Sequence, residues 1–154
     1  MLTESEKEEI AEEVKRAGHA RAACVDALRI VQRRRGWVCD EALREVAALV
    51  DMTPAELDSV ATFYSLIYRK PVGRHVILLC DSVVCWVMGH ETALEHLTRR
   101  LGITLGETTA DGRFTILPTA CLGACDRAPA MMVDEEIHGD LTPEKIDRIL
   151  EQYR

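Results

Sequence analysis

The run HVILLC, residues 75–80, constrains the fold more than any other stretch. Val76 to Leu79 is uninterrupted apolar sequence, so a strand here has no polar side to show to water and must be covered on both faces. A chain with such a strand has to supply covering layers from its own helices. The run ends in Cys80, and the next five residues, DSVVC, end in Cys85. The question of fold and the question of chemistry therefore meet at one strand end.

Before this run the chain carries helical periodicity and almost no strand signal. Thr3 with Glu6 forms a capping box ahead of a first helix that should stop near Gly18. A second helix is expected from about Ala20 to Arg35, with Cys24, Leu28 and Val31 on one stripe and Gly36 as its stop. Asp40 looks like the N-cap of a third helix whose Leu43, Val46, Ala47 and Val50 share a face. Thr53, Pro54 and Glu56 open a fourth. These apolar faces need one another, which predicts a helical bundle over residues 1–72.

At Lys70-Pro71-Val72-Gly73 the pattern changes. After the strand and its cysteines, HETALEHLTRRLG reads as a helix with Leu94, Leu97 and Leu101 inward and Gly102 as its stop. Asp111-Gly112 is a hairpin signal leading into the strand RFTILPT, and PAMMVDE reads as a further strand. Thr142-Pro143-Glu144 starts a last helix carrying Ile146, Ile149 and Leu150. The order β-α-β-β-α predicts a small α/β domain over residues 73–154, so the chain as a whole is α+β.

Composition excludes several partners. A net charge of −7 offers little to a phosphate backbone, so no nucleic acid is expected. No apolar run approaches the roughly 18 residues of a membrane helix. The N-terminus MLTESEKEEIAEEVKRAG has neither the apolar core of a signal peptide nor the acid-poor make-up of a transit peptide. A cytoplasmic protein follows, in a reducing compartment where its six cysteines would not pair as disulfides.

Four of those cysteines form a pattern. Cys80 and Cys85 close one loop, and Cys121 and Cys125, in CLGAC, close another. Each pair falls where a strand ends, and strand ends of one sheet lie close in space, so the loops can face each other. Zinc tetrathiolate sites favour two-residue chelate loops around one ion. A [2Fe–2S] cluster is longer, with two cysteines on each iron, and suits the wider loops of four and three residues. Spacing alone leaves a structural zinc site, buried core cysteines and a catalytic dithiol open beside the cluster.

The wording around the cysteines carries a resemblance. ALRIVQRRRGWV, VATFYSLIYRKPVGRHVI, CDSVVC, DGRFTILPTACLGACDRAPAMMVDE and LTPEKIDRILEQY, in that order, resemble the thioredoxin-like [2Fe–2S] ferredoxins. More narrowly they are similar to the 24-kDa-type subunits of respiratory NADH:quinone oxidoreductase (complex I). The resemblance implies an N-terminal helical bundle followed by a thioredoxin-like domain carrying a [2Fe–2S] cluster. It implies Cys80, Cys85, Cys121 and Cys125 as the ligands, with no catalytic residue on this chain. FMN and NADH would sit on the 51-kDa-type partner subunit, and other subunits of the peripheral arm would adjoin. This chain shows no G-x-G-x-x-G after a strand and no P-loop. The implied place is the cytoplasmic face of a bacterial inner membrane, without direct membrane contact. The implied role is one-electron exchange with the flavin, as a subunit of the oxidoreductase.

The equivalent diaphorase subunit of an NAD-linked hydrogenase or formate dehydrogenase shares this module. A free-standing carrier would not need the helical domain, and a zinc-stabilised binding module is the reading of another class. The backbone of residues 81–84 and 122–124 is expected to donate to the sulfurs, with Gly123 letting it approach. His75, His90, His96 and His138 are read as solvated or hydrogen-bonded, and Arg33-Arg34-Arg35 as a solvated helix end. Cys24 is read as a core thiol and Cys39 as incidental. Trp37, Phe63, Tyr64 and Tyr68 are expected to pack in a core or at a domain junction. Pro129, before AMMV, stands where a thioredoxin fold usually carries a cis-proline, and the sequence does not fix the isomer.

Overall fold

The computed structural model describes residues 1–153. The chain forms two compact units, Met1–Pro71 and a second that begins at Val72.

In the first unit the local signals work as their chemistry requires. Thr3 and Glu6 make a reciprocal capping box that starts α1 (Glu4–Ala17), and Gly18 ends it in the left-handed conformation, φ 72°. Helix α2 (Cys24–Arg35) is shorter than the periodicity predicts. Residues Ala20–Ala23 form a separate 3-10 turn, capped by the His19 side chain on the Arg21 N–H. Cys39, not Asp40, is the N-cap of α3 (Asp40–Leu49), and Asp40 takes the first helical position, where a carboxylate also suits the dipole. A second capping box, Thr53 with Glu56, and Pro54 at the first position start α4 (Pro54–Phe63). The four helices close over Ile10, Leu28, Val31, Leu43, Val46 and Leu57.

Two expectations for this unit fail. Phe63 is 81% exposed and Tyr64 is also on the surface, because α4 ends there and the core is already filled by Leu57 and Ala61. The three arginines are not merely solvated. Arg33 and Arg34 pair with Glu9, and Arg35 pairs with the buried Glu6 at 2.6 Å, tying α2 to α1.

The second unit is built on a four-stranded sheet in the order β2-β1-β3-β4. Strand β1 (His75–Cys80) lies inside it, parallel to β2 (Phe114–Thr119) and antiparallel to β3 (Met131–Val133). All of β1 from Val76 onward is buried, as its apolar run demands. Ile77 and Leu79 pack with Phe114, Ile116, Met131 and Val133. Ala93 and Leu97 of α6 (His90–Leu101) and Ile146, Ile149 and Leu150 of α7 (Pro143–Gln152) complete that core. Each Val, Leu, Ile, Phe or Met side chain among them, fully buried, contributes about 1.5–3 kcal/mol.

Two elements go beyond the predicted order. A fourth strand, β4 (Glu136–His138), pairs with β3 through a turn in which Asp134 takes φ 55° without any glycine to announce it. The residues VVCWVM, rich in strand-favouring side chains and beginning inside the first cysteine loop, form the short helix α5 (Val83–Met88). The Trp86 N–H reaches the Ser82 carbonyl at 2.9 Å, and Gly89 stops the helix at φ 118°.

Candidate functional site

Parallel pairing of β1 and β2 puts Cys80 opposite Thr119, so both cysteine loops leave the sheet at the same end. The antiparallel register of β3 brings Ala130 to the other side of Cys80. The Cys80 N–H donates to the Ala130 carbonyl at 3.1 Å. The peptide bond after Ala128 is cis, at Pro129.

The two pairs of thiols differ in setting. Cys80 and Cys85 are each 2% exposed and rest on Ala124, Ala128 and Ala130, with Leu122 alongside. Cys121 and Cys125 stand on the surface with their sulfurs 3.4 Å apart. All six cysteines of the chain are free thiols.

Electrostatics link the pairs. Burial pushes the Cys85 thiol up, its hydrogen bond with Cys80 adds to this, and the Ala130 N–H opposes it. The Gly123 N–H, 3.4 Å from Cys121 Sγ, holds that thiol low, with help from Cys125. Cys125 is raised, chiefly because a thiolate on Cys121 uses it as a donor. Charge on Cys80 also disfavours charge on Cys125, and charge on Cys125 disfavours it on Cys85, so the two pairs sense each other. Neighbouring thiols that oppose each other's ionisation are natural partners for a cationic metal centre, which reverses the sign of that interaction. Among the described residues, no three His, Cys, Asp or Glu side chains gather around one ion-sized point. The donors come as two pairs, and their chemistry fits a two-iron group.

The expected amide donors are present only in part. Gly123 donates to sulfur, but the Asp81 N–H is spent on the Thr119 carbonyl at 3.0 Å, because β1 and β2 continue their ladder past Cys80. Gly123 is required by its φ of 80° rather than by crowding, since nothing lies within 4 Å of where a Cβ would stand. The Ala130 amide, facing Cys85, is a donor that sequence reasoning misses, because only the β3 register brings it there.

None of these four histidines joins the cysteine sulfurs. His75 pairs with Asp134 at 2.8 Å, His96 with Asp147 at 3.0 Å, and His138 meets the Tyr153 hydroxyl at 3.3 Å. His90 is different, for it is buried and its Nδ1 lies 2.9 Å from the Cys80 carbonyl oxygen. Cys24 and Cys39 lie half-buried against the helical core of the first unit, far along the chain from the four.

No helix among the described residues is long and apolar enough to cross a membrane. The chain is 48% identical to a subunit of the NADH-quinone oxidoreductase of Pseudomonas aeruginosa, over 99% of its length and 92% of that protein's. It is 49% identical to the like-named subunit of the Escherichia coli oxidoreductase, with the same coverage. Among solved structures it resembles an NAD+-reducing [NiFe]-hydrogenase in the air-oxidised state. That likeness has a TM-score of 0.72 and 29% identity, and it covers 85% of this chain but 22% of the hydrogenase chain. The profile of the thioredoxin-like [2Fe-2S] ferredoxins matches residues 8–154, and this chain, an α+β protein with helices ahead of a small sheet, belongs to that family.

Proposed function

We propose that this chain is the electron-transfer subunit of an NADH–quinone oxidoreductase. Cys80 and Cys85 hold one iron of a [2Fe–2S] cluster, and Cys121 and Cys125 hold the other. The observation that carries this reading is the convergence of two thiol pairs, one buried and one exposed, at one end of the sheet. When bound, the cluster supplies a one-electron centre that exchanges an electron with the FMN of the adjacent NADH-oxidising subunit.

The chain's own part is to hold and tune that centre. Its alanine floor keeps water from Cys80 and Cys85, where a low dielectric makes added negative charge expensive. The Gly123 and Ala130 amides offset part of that cost by pointing N–H groups at sulfur. The outer pair, Cys121 and Cys125, is the side open to a partner.

Val83, Trp86, Val87 and Met88 of α5 are exposed beside the first loop. An apolar face of this kind suits a permanent subunit contact better than a freely diffusing carrier. The partner proposed for it is the flavin- and NADH-binding 51-kDa-type subunit, within a peripheral arm on the cytoplasmic side of the membrane. The likeness to the hydrogenase favours a second reading, the diaphorase unit of such an enzyme. Higher identity and near-complete mutual coverage favour the first.

The test is iron and sulfide analysis with optical and EPR spectra of the purified chain. Equal iron and sulfide and a reducible paramagnetic centre are expected, and serine at any of the four cysteines should diminish or reshape the signal. A colourless protein with stoichiometric zinc would sink the assignment. Co-purification with a flavoprotein that oxidises NADH and reduces quinone, rather than with a hydrogenase, separates the two readings.

A further inference from the structure

Cys80 is the last residue of β1, and its backbone is held on every side. Its N–H is bound by the Ala130 carbonyl at 3.1 Å, and the next N–H, of Asp81, is bound by Thr119 at 3.0 Å. The Cys80 carbonyl takes its partner from a side chain. It accepts from Nδ1 of His90 at 2.9 Å. A carbonyl oxygen can only accept, so His90 must carry its proton on Nδ1.

The position of His90 is costly to arrange. It is 4% exposed, and it begins α6 directly after Gly89, whose φ of 118° turns the chain. Its ring stacks on Trp86 with centroids 5.5 Å apart and planes 17° from parallel. Trp86 follows Cys85 in sequence. One imidazole thus touches the backbone of one ligand and packs on the neighbour of another.

We propose that His90 is a positioning residue for the metal centre: its Nδ1–H, together with the Asp81 N–H bonded to Thr119, holds the Cys80–Asp81 peptide unit in place and neutralises its carbonyl beside the thiolate. The inference rests on Cys80 being a ligand. A bare satisfied core histidine would stabilise the fold and leave the centre's electronic properties alone. A positioning residue changes them, because the Cys80 carbonyl dipole lies next to the sulfur and is partly neutralised by the donor. With the donor gone, the carbonyl keeps its place, because the Asp81 N–H of the same peptide unit is held by Thr119, but its negative end is no longer neutralised beside the site. That disfavours the reduced, more negative state.

Two variants separate the hydrogen bond from the ring. His90→Phe keeps the stack on Trp86 and removes the donor, whereas His90→Asn places an amide N–H near the position of Nδ1 and removes the ring. Reduction potential, EPR g-values and the rate of iron loss to a chelator are read in the folded, cluster-loaded chain. His90→Phe should shift the g-values, lower the potential and speed iron loss by about ten-fold, the usual effect of losing an outer partner of a metal ligand. His90→Asn should restore all three toward the wild type.

Wild-type values in His90→Phe would overturn the proposal, and so would His90→Asn behaving like His90→Phe. Should His90→Phe fail to fold, 15N-detected NMR of the oxidised wild type decides. Protonation at Nδ1 supports the assignment and protonation at Nε2 overturns it. A wild-type chain without iron would instead overturn the ligand reading on which the inference rests.

Discussion

Gly139 lies so close to Arg127 that a Cβ there would stand 2.5 Å from the Arg127 Cβ and 2.6 Å from its carbonyl oxygen. The contact is with backbone, which cannot swing aside as a long side chain can. The Asp140 N–H reaches that same carbonyl at 2.5 Å, and the Leu141 N–H reaches the Pro129 carbonyl at 3.2 Å. The segment after β4 therefore braces the end of the loop that carries Cys125. Gly139→Ala should move Arg127 and destabilise the second unit by about 1–3 kcal/mol, as overpacking does. Denaturant unfolding measures that loss. The EPR line shape of the loaded protein should broaden with it, since Cys125 lies only two residues upstream of Arg127.

Gly123 poses the opposite case. A Cβ there meets nothing, and only the backbone angle resists substitution. Asn adopts left-handed angles readily and keeps the N–H, so Gly123→Asn should leave the reduction potential close to the wild type. Gly123→Val is expected to cost about 1–2 kcal/mol or to relax the loop. Relaxation would carry the N–H away from Cys121 and lower the potential. An unchanged potential in the valine variant would remove Gly123 from the set of functional donors.

These glycines also show what can be read from sequence. Helix starts and stops are legible because each is a local chemical signal, as with Thr53 and Glu56 or Gly36 and Gly102. The buried strand is legible because four apolar residues in a row admit few alternatives. The two cysteine pairs are legible as pairs, and strand-end reasoning brings their loops to one end of the sheet. The rest depends on register. Ala130 reaches Cys85 because of how β3 pairs with β1, and an alanine amide leaves no trace in composition. His90 meets Cys80 through a carbonyl, which every residue has. Helix α5 defeats propensity, since valines and tryptophan favour strands in isolation. The exposure of Phe63 escapes a sequence reading because nothing local tells an aromatic whether the core is already full.

Arg69 gathers three acceptors at the edge of the helical unit. Its guanidinium reaches Asp58 at 2.8 Å, Asp40 at 2.7 Å and the Val38 carbonyl. Burial opposes the charge on Arg69, and the two carboxylates overcome that and raise its pKa. Arg69→Met keeps much of the apolar stem but strands these acceptors. Because Asp40 is mostly and Asp58 about half open to water, the loss should be about 2 kcal/mol rather than the 3–5 kcal/mol of a fully buried pair. Amide hydrogen exchange in α3 and α4 should rise by the corresponding factor of about 30, while exchange in β1 stays unchanged.

Glu6 gives the helical unit a defined acid limit. The hydrogen bonds it accepts from Arg35, followed by those from Thr3, hold the carboxyl down at about 2 against an ordinary 4.5, although burial opposes this. A carboxylate depressed in the folded state adds stability that is fully present above pH 4.5 and is lost as the pH falls through about 2. The interval between those values corresponds to about 3 kcal/mol. Glu6→Gln retains an oxygen for the capping box but removes the charge. Near neutral pH the variant should be less stable by about this amount, measured from urea midpoints. The gap should narrow steadily below pH 4.5 and close near pH 2, where the wild-type carboxyl is itself protonated. A gap independent of pH would show that Glu6 acts through packing and its cap, and that its charge contributes nothing.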